Sequence, residues 1–395
     1  MVKKCALGVD VGTASIKALV GMINGRDNIS IIGSGFVPTV GFSKGMLTDA
    51  ARLAKAIKEA VDCAVMAAET KVEDIYLGIG GLGIVSGNSR GSVALSPKSI
   101  ITGADIKRVC QVATMLAVPE DYRILHTLPI RYWVDGNQCA EEPVGQQGVR
   151  LEVDAHVVSV PEAVIAEISE ELAALGIHLS GIMANAVTGL YIEGGTEETS
   201  AVIDIGAGLS DLALLHRGKI CVSSSLIIGG DYVTNDIMQA LGISRPHAEE
   251  VKRYYAKLNG ELRGKDIMLD CNGYGTTDIK VAYDFLAKVI ESRIEEIIYI
   301  VHQYFQPEIT RYGVKKIVLT GGSVLSPSFA MYIEKFFNIK PELIALGNRL
   351  PAEYAQQSNT ACYGILNEVA MGVVVDDDNE VGMLRLLVNK IKNLI

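Results

Sequence analysis

The sequence lacks the patterns that would predict a metal cluster, a disulfide framework or a membrane-spanning helix. Its seven cysteines are scattered without a Cys-x-x-Cys pair, and its six histidines are dispersed. Such cysteines are typical of small core residues in a reducing compartment. No apolar run approaches the ~20 residues that span a bilayer, and Asp10 interrupts the first one before it reaches signal-peptide length. We therefore expect a protein that stays in the cytoplasm.

Basic residues are also fewer than acidic residues, which limits the possible binding partners. The 395-residue chain has 36 Lys and Arg residues against 46 Asp and Glu residues, a formal net charge of -10. A general nucleic-acid binder usually has a basic stripe with interleaved aromatic residues, and we find no such stripe in the sequence. We therefore expect no nucleic acid among the partners. Hydrophobic residues make up 49% of the chain, enough for a sizeable core in more than one domain.

Two segments far apart in the chain share one pattern of three strands, a glycine turn and a following helix. The predicted elements are strands 5–10, 16–22 and 29–37 with helix 48–67, and strands 201–205, 211–216 and 220–226 with helix 234–241. We interpret the pair as a duplicated unit and expect the two glycine turns to face each other at one cleft.

The stretch between these units has a different pattern. Residues 85–159 predict a strand, a helix and two more strands, which we interpret as a small β-α-β-β domain inserted into the first half. The first half resumes with a helix that begins at Pro161, since proline is favoured in a first helical turn. Later in the chain, a long helix is predicted over 281–305 and a strand over 316–319.

Four segments carry residue types suited to nucleotide phosphates and Mg²⁺. Phosphates need close backbone N–H groups, which glycine permits, and Mg²⁺ needs carboxylates that leave room for water. The segments are Gly8–Thr13 with Lys17, Asp204–Gly208 with Ser210, Thr320–Ser323, and a helix with Glu249 and Lys252 on one face. Each alone has an ordinary explanation as a strand turn, a loop or a solvated ion pair. Their pairing and order favour a nucleotide site.

In order and in residues, these segments resemble the actin-like ATPase superfamily and, within it, the FtsA family of bacterial cell-division proteins. The resemblance covers essentially the whole chain and rests on GVDVGTASIK at 8–17, VIDIGAGLSD at 202–211, IIGGDYVTNDI at 227–237, AEEVK at 248–252 and LTGGS at 319–323. The NSRGSVAL and ILHTLPIRYWVDG segments of the insert look like a small domain specific to that family, which actin and MreB lack at this position.

The resemblance implies a fold class and a division of the chain into domains. The fold class is α/β, an actin-like (ribonuclease-H-type) two-domain fold with a nucleotide cleft, an inserted small β-α-β-β domain and a C-terminal amphipathic helix. The implied parts are 1–84 with 160–195, the insert 85–159, 196–231 with 301–371, a smaller subdomain 232–300, an acidic linker 372–380 and a helix 381–395.

The resemblance also implies roles for individual residues with ATP and Mg²⁺ as the cofactors. Asp10 and Asp204 would hold Mg²⁺ through waters. The phosphate contacts would come from Gly12, Thr13, Lys17, Gly206, Gly208 and Ser210. Glu249 and Lys252 would meet the ribose and adenine, with Gly321, Gly322 and Ser323 beneath the base.

Two positions depart from the family pattern. Asn185 stands where actin-like ATPases carry a Gln or Glu that orients the attacking water, and asparagine is one methylene shorter. A small misplacement of that water lowers the rate strongly. Leu209 stands where a hydroxyl residue often follows the second glycine, which leaves Ser210 to compensate. We therefore predict firm ATP binding with slow or negligible hydrolysis.

The last fifteen residues predict an amphipathic helix with a basic polar face. The residues expected at an anionic membrane are Leu384, Arg385, Leu387, Val388, Lys390, Ile391, Lys392 and Leu394. The alternative is a helix docked on the protein's own core, which the acidic linker before it disfavours. Proteins of the resembled family end in such a membrane-targeting helix, which agrees with the first interpretation.

The resemblance implies a membrane-tethered, polymerising ATP-binding adaptor at the cytoplasmic face of the cell membrane, where the division septum forms. It would anchor the tubulin-like protein FtsZ through residues 232–300, assemble head to tail with itself, and meet later division proteins through the insert. One alternative is a type IV pilus assembly adaptor of the PilM kind, which has a similar cleft and insert. Another is a small-molecule kinase of the same fold, for which Asp211 is the nearby extra carboxylate.

Overall fold

The structure is a computed structural model that describes residues 4–24, 28–97, 99–189, 198–256, 262–269, 279–324, 326–344, 354 and 356–371. The expected acidic linker and the expected C-terminal amphipathic helix, at 372–395, lie outside these described residues. Among the described helices, none is both long and apolar enough to cross a bilayer.

The first half of the chain forms a five-stranded sheet with a helix packed against it. Its elements are β1 Lys4–Val11, β2 Ser15–Ile23, β3 Ile29–Pro38, β4 Phe42–Ser43, β5 Met46–Leu47, α1 Ala50–Ala68, β6 Asp74–Ile79, α3 Glu162–Ala174, β11 Gly181–Ala184 and α4 Asn185–Thr188. The strand order is β11-β6-β1-β2-β3, with β1 antiparallel to β2 and parallel to β6. The expected strands are confirmed, and α1 begins at Ala50 because the Asp49 side chain accepts the Arg52 N–H and caps the helix.

The insert forms its own sheet, as the β-α-β-β pattern predicts. Its elements are β7 Val85–Ala94, α2 Gly103–Ala117, β8 Tyr122–Val134, β9 Asn137–Gln138 and β10 Arg150–Pro161. The strands lie in the order β7-β10-β8-β9, and α2 packs on them around a core that includes Val109, Leu151 and Val153. The capping box of Thr102 and Asp105 begins α2 at Gly103.

The second half repeats the antiparallel triplet of the first. Its elements are β12 Ser200–Ile205, β13 Ser210–His216, β14 Lys219–Leu226, α5 Gly230–Leu241, α6 Arg245–Tyr255, β15 Asp266–Leu269, β16 Ile279–Ala282, α7 Tyr283–Tyr312, β17 Lys316–Thr320, α8 Pro327–Phe337, β18 Glu342–Leu343 and α9 Thr360–Met371. The sheet order is β14-β13-β12-β17-β18, with β12 parallel to β17.

Two features of the second half differ from the sequence expectation. The long helix α7 begins two residues later than expected and continues through Pro307 to Tyr312, where Gly313 ends it in the left-handed conformation at φ 63. Proline removes one helical hydrogen bond, but buried Phe305 and Ile309 on either side keep the helix on the core. Helix α9 falls within the stretch expected in the second half, yet its side chains pack into the core of the first half.

The insert also contacts the second half. Ser86 and Asn88 of β7 donate hydrogen bonds to the carbonyl oxygens of Ser223 and Cys221 on β14. His156 of β10 is buried between Asn88 Oδ1 and Ser223 Oγ, at 2.6 and 2.8 Å. Burial lowers the pKa of His156 to about 4, so the ring is neutral in this contact. The insert therefore connects the two halves that the cleft separates.

The contact between α1 and β3 depends on glycine. A Cβ added at Gly35 would lie 2.0 Å from the carbonyl oxygen of Ala60, because the helix backbone packs directly on the strand. Overpacking of this kind displaces backbone and not only a flexible side chain.

We expect Gly35→Ala to lower the free energy of unfolding by about 1–3 kcal/mol. The matched control is Gly87→Ala, also in a strand, where an added Cβ meets no described atom within 4 Å. Urea denaturation of both variants measures the effect. Equal unfolding midpoints for the two would contradict the close packing of α1 on β3.

Candidate nucleotide-binding site

A cavity of about 900 Å³ lies between the two halves. Thirteen of the fourteen residues expected at a nucleotide line it: Asp10, Gly12, Thr13, Lys17, Asn185, Asp204, Gly206, Gly208, Glu249, Lys252, Gly321, Gly322 and Ser323. The structure thus brings together side chains from four segments of the sequence. Which part of a nucleotide each of them touches stays a prediction.

Ser210 does not line the cavity, but the next residue, Asp211, does. The Ser210 hydroxyl is fully buried and donates to the Ile228 carbonyl oxygen at 2.8 Å, while Asp211 lines the cavity. Successive side chains of a strand point to opposite faces, so only one of these two residues can face the cleft. The Ser210 hydroxyl therefore does not face the cavity, and the carboxyl group of Asp211 lies on that side of β13.

The two glycine turns have the same construction and touch each other. In one turn the Gly12 N–H donates to the Ser15 carbonyl oxygen, and in the other the Gly206 N–H donates to the Leu209 carbonyl oxygen. A Cβ added at Gly208 would lie 2.6 Å from Thr13 Oγ1, so glycine permits this approach across the cleft. This confirms the expectation that both turns face one cleft.

Asp10 is held by two partners. It lies directly opposite Lys17 in the β1–β2 register, and its Oδ2 accepts from Lys17 Nζ at 3.2 Å. Its Oδ1 accepts from Asn185 Nδ2 at 2.8 Å. Asn185 Oδ1 is buried and has no hydrogen-bond partner among the described residues. A buried acceptor without a partner is unusual in a folded protein and indicates a functional position.

The second half repeats this arrangement with a different charge. Asp204 lies directly opposite Asp211 in the β12–β13 register, the position that Lys17 occupies opposite Asp10. Burial, followed by repulsion from Asp211 and Asp10, raises the pKa of Asp204 to about 8. Burial also raises the pKa of Asp211 to about 7, although Ser225 donates a hydrogen bond to it. These two carboxyl groups therefore favour a bound cation, which would lower both of their pKa values.

The carboxylates suit a cation held through water. Among the described residues, no group of three or more His, Cys, Asp or Glu side chains could hold a metal directly. Mg²⁺ usually keeps several waters and binds through one or two carboxylates together with substrate phosphates. Asp10, Asp204 and Asp211 fit that pattern, and the unpartnered Thr13 Oγ1 adds a buried hydroxyl in the described wall.

Glu249 and Lys252 form an ion pair on α6, as their helical spacing predicts. Lys252 Nζ lies 2.7 Å from Glu249 Oε2 and donates to the Gly230 carbonyl oxygen at 3.2 Å, where α5 begins. Burial raises the pKa of Glu249, but Lys252, Thr234 and Arg253 outweigh it and the net shift is downward. A charged pair at the cavity wall offers both a donor and an acceptor to a polar ligand.

Sequence reasoning missed the apolar part of the wall. Ile290 and Ile294 of α7 and Phe329 of α8 line the cavity together with Val233 and Tyr255. Ile290 and Ile294 have the i, i+4 spacing of core residues, so the sequence pattern does not distinguish a cavity wall from the core. A cavity lined by both apolar and charged groups suits a ligand with a flat ring and a charged tail.

The raised pKa values predict how stability depends on pH. A carboxyl whose pKa is higher in the folded state binds more protons there, so stability falls as pH rises from about 4 through the raised value. We expect Asp211→Asn to remove part of this pH-dependent loss of stability. The free energy of unfolding at pH 8 should rise by about 1 kcal/mol or more. Urea denaturation without ligand at pH 5 and pH 8 measures it, with exposed Asp62→Asn on α1 as the control. A pH dependence equal to that of the unchanged protein would contradict the assignment.

Comparisons with known proteins agree on one family. A model described as "SHS2 domain inserted in FTSA" matches residues 81–159, and one described as "Cell division protein FtsA" matches residues 201–357. The cell division protein FtsA of Pseudomonas aeruginosa is 32% identical over 86% of this chain and 82% of its own length. Its counterpart in Neisseria meningitidis is 30% identical over 84% and 81%, and that of Escherichia coli K12 is 28% identical over 90% and 87%.

Solved structures show the fold. The PilM-PilN type IV pilus biogenesis complex contains a chain that superimposes with a TM-score of 0.67 at 17% identity, over 94% of this chain and 99% of that one. MreB 5 of Spiroplasma citri bound to AMPPNP gives a TM-score of 0.50 at 14% identity over the full length of both. At these identities the likeness establishes an actin-like fold alone. With that fold, the matched insert and the similarity over most of its length, the chain belongs to the cell division protein FtsA family.

Proposed function

We propose that the chain binds ATP with Mg²⁺ in its cleft and uses the nucleotide as a conformational and assembly ligand in bacterial cell division. The observation that carries this proposal is the contact of the two glycine turns inside a cavity with three aspartates and Lys17. Backbone N–H groups at such turns suit phosphate oxygens. A ligand that touches both turns binds the closed cleft better than an open one, which is how it shifts a conformational equilibrium.

The cavity is lined by acidic, basic and apolar side chains, which a nucleoside triphosphate with Mg²⁺ requires for its metal, its phosphates and its base. Asp10, Asp204 and Asp211 would serve hydrated Mg²⁺, and Lys17 would serve a phosphate. The Glu249–Lys252 pair and the apolar part of the wall would serve a sugar and a base. When bound, Mg²⁺ would neutralise the phosphates and relieve the repulsion among the aspartates.

Hydrolysis is expected to be slow. Asn185 uses its amide nitrogen to hold Asp10, and its Oδ1 is buried without a partner among the described residues. The asparagine side chain is too short to reach as far as glutamine or glutamate does, and water placement controls the rate of phosphoryl transfer. The expected phenotype is tight nucleotide binding with turnover much slower than the exchange of nucleotide.

The membrane and partner roles are proposed from family membership and the sequence. Residues 381–395 would place a basic amphipathic helix on the anionic cytoplasmic face of the cell membrane at the division site. Residues 232–300 would anchor FtsZ there, and the insert would meet later division proteins. Copies of the chain would join head to tail, since a heterologous contact that does not close produces a filament.

The likeness to a pilus-biogenesis chain leaves one alternative role to compare. That chain shares the fold with this one at 17% identity, whereas curated division proteins reach 32%. A fold hosts several functions, so the sequence similarity supports the division role.

We expect Lys17→Ala to weaken ATP binding about tenfold or more, because a charge-assisted hydrogen bond is worth about 1.5–3 kcal/mol. Isothermal titration calorimetry with MgATP measures the affinity. The matched control is Lys58→Ala, which removes an exposed lysine paired with Asp62 on α1. Equal affinities of the two variants would contradict a phosphate role for Lys17.

We expect the full chain to sediment with anionic vesicles and to carry FtsZ with it, and a chain that ends at Asp378 to do neither. A triple variant, Arg385→Glu, Lys390→Glu and Lys392→Glu, keeps the apolar face and tests the charge separately. Co-sedimentation is measured with ATP present, with zwitterionic vesicles as the control. Sedimentation of the truncated chain with the vesicles would overturn the tethering role of the tail.

A further inference from the structure

A histidine and a glutamate are buried together at the junction of the insert and the first half. His126 of β8 and Glu368 of α9 are each about 1% exposed, and Nδ1 of the imidazole lies 3.1 Å from Oε1 of the carboxyl group. Burying two ionisable groups costs free energy that hydrophobic residues of similar volume would not cost. The pair therefore calls for an explanation beyond packing.

The hydrogen bond at the second ring nitrogen of His126 fixes the tautomer of the imidazole. The backbone N–H of Ala184 donates to Nε2 at 2.9 Å, so Nε2 is the acceptor and carries no proton. The proton is then on Nδ1, where it is donated to Glu368. The imidazole thus connects a carboxyl group on α9 to one backbone amide at the end of β11.

That amide needs an acceptor because of its place in the sheet. Strand β11 is the edge of the described five-stranded sheet and pairs with β6 on one side. Alternate amides of an edge strand point away from the sheet and require another partner when buried. Ala184 is buried, and His126 supplies the acceptor that a neighbouring strand would otherwise provide.

The next residue is the one that holds Asp10. Asn185 begins α4 immediately after Ala184, and its Nδ2 donates to Asp10 Oδ1 at 2.8 Å. The space for its amide group is narrow, since a Cβ added at Gly78 would lie 2.4 Å from Asn185 Oδ1. A small displacement of the backbone at Ala184 would therefore move the Asn185 amide off Asp10.

We propose that His126, oriented by Glu368, is a positioning residue of the nucleotide site: it fixes the backbone at Ala184 and thereby holds the Asn185 amide on Asp10. The inference rests on the proposed binding of MgATP. His126, a buried residue of the insert, would thereby help to set how strongly Mg²⁺ increases the affinity for ATP. The chain of contacts runs from Glu368 through His126, Ala184 and Asn185 to Asp10.

The test measures the affinity for ATP in Mg²⁺ and in EDTA. The ratio of the two dissociation constants is the Mg²⁺-dependent gain in affinity. We expect His126→Leu to reduce the Mg²⁺-dependent gain about tenfold, the usual scale for partners that orient metal-site ligands. Affinity in EDTA should change less than twofold. His126→Gln, whose amide can accept from Ala184 and donate to Glu368, should retain most of the gain.

Two further variants separate positioning from stability. The double variant His126→Leu, Glu368→Leu removes the unpaired buried carboxyl group, so it should recover melting temperature while the Mg²⁺-dependent gain stays reduced. His156→Leu removes the other buried histidine of the insert, which bonds to Asn88 and Ser223. It should lower the melting temperature and leave the gain unchanged.

The outcomes are distinguishable. A gain equal to that of the unchanged protein in His126→Leu or in the double variant would overturn the inference. An equal loss of affinity in Mg²⁺ and in EDTA would also overturn it, because the histidine would then support only the fold. If the unchanged protein binds no ATP in either condition, the proposed function fails first and the inference with it.

Discussion

The close approach of the two glycine turns is the constraint on which the rest of the site depends. Because Gly208 has no side chain, its turn meets Thr13 across the cleft, and the strand ends that carry Asp10 and Asp204 converge on one cavity. The convergence places three carboxyl groups in one cavity, and burial, with repulsion between them as the smaller cause, raises the pKa values of Asp204 and Asp211. A cleft built in this way is more stable with a cation and an anionic ligand in place than without them.

The two halves are alike in backbone and unlike in charge. The same strand–turn–strand unit places Lys17 opposite Asp10 in one half and Asp211 opposite Asp204 in the other. Each half alone would make an ordinary hairpin. A lysine in one half and an aspartate in the other, at equivalent positions, make the two facing walls of the cavity differ in charge.

Much of this could be predicted from the sequence because the signals are local. A strand, a glycine turn and a returning strand place an acid and its partner at a defined spacing, and α6 spacing alone predicts the Glu249–Lys252 pair. Residue type alone does not show that Ser210 faces away from the cavity, because strand alternation decides the face. The His126–Glu368 pair joins residues 242 positions apart, and the N–H that it supports belongs to an alanine, so no local pattern could reveal it.

The most direct measurement is a crystal structure of the chain with Mg²⁺ and a non-hydrolysable ATP analogue. We expect phosphate oxygens in contact with the Gly12–Thr13 turn and the Gly206–Gly208 turn at once, with the hydrated metal beside Asp10 and Asp204. A nucleotide bound to one half alone, or outside the cavity, would contradict the claim that the two opposed turns form a single phosphate site.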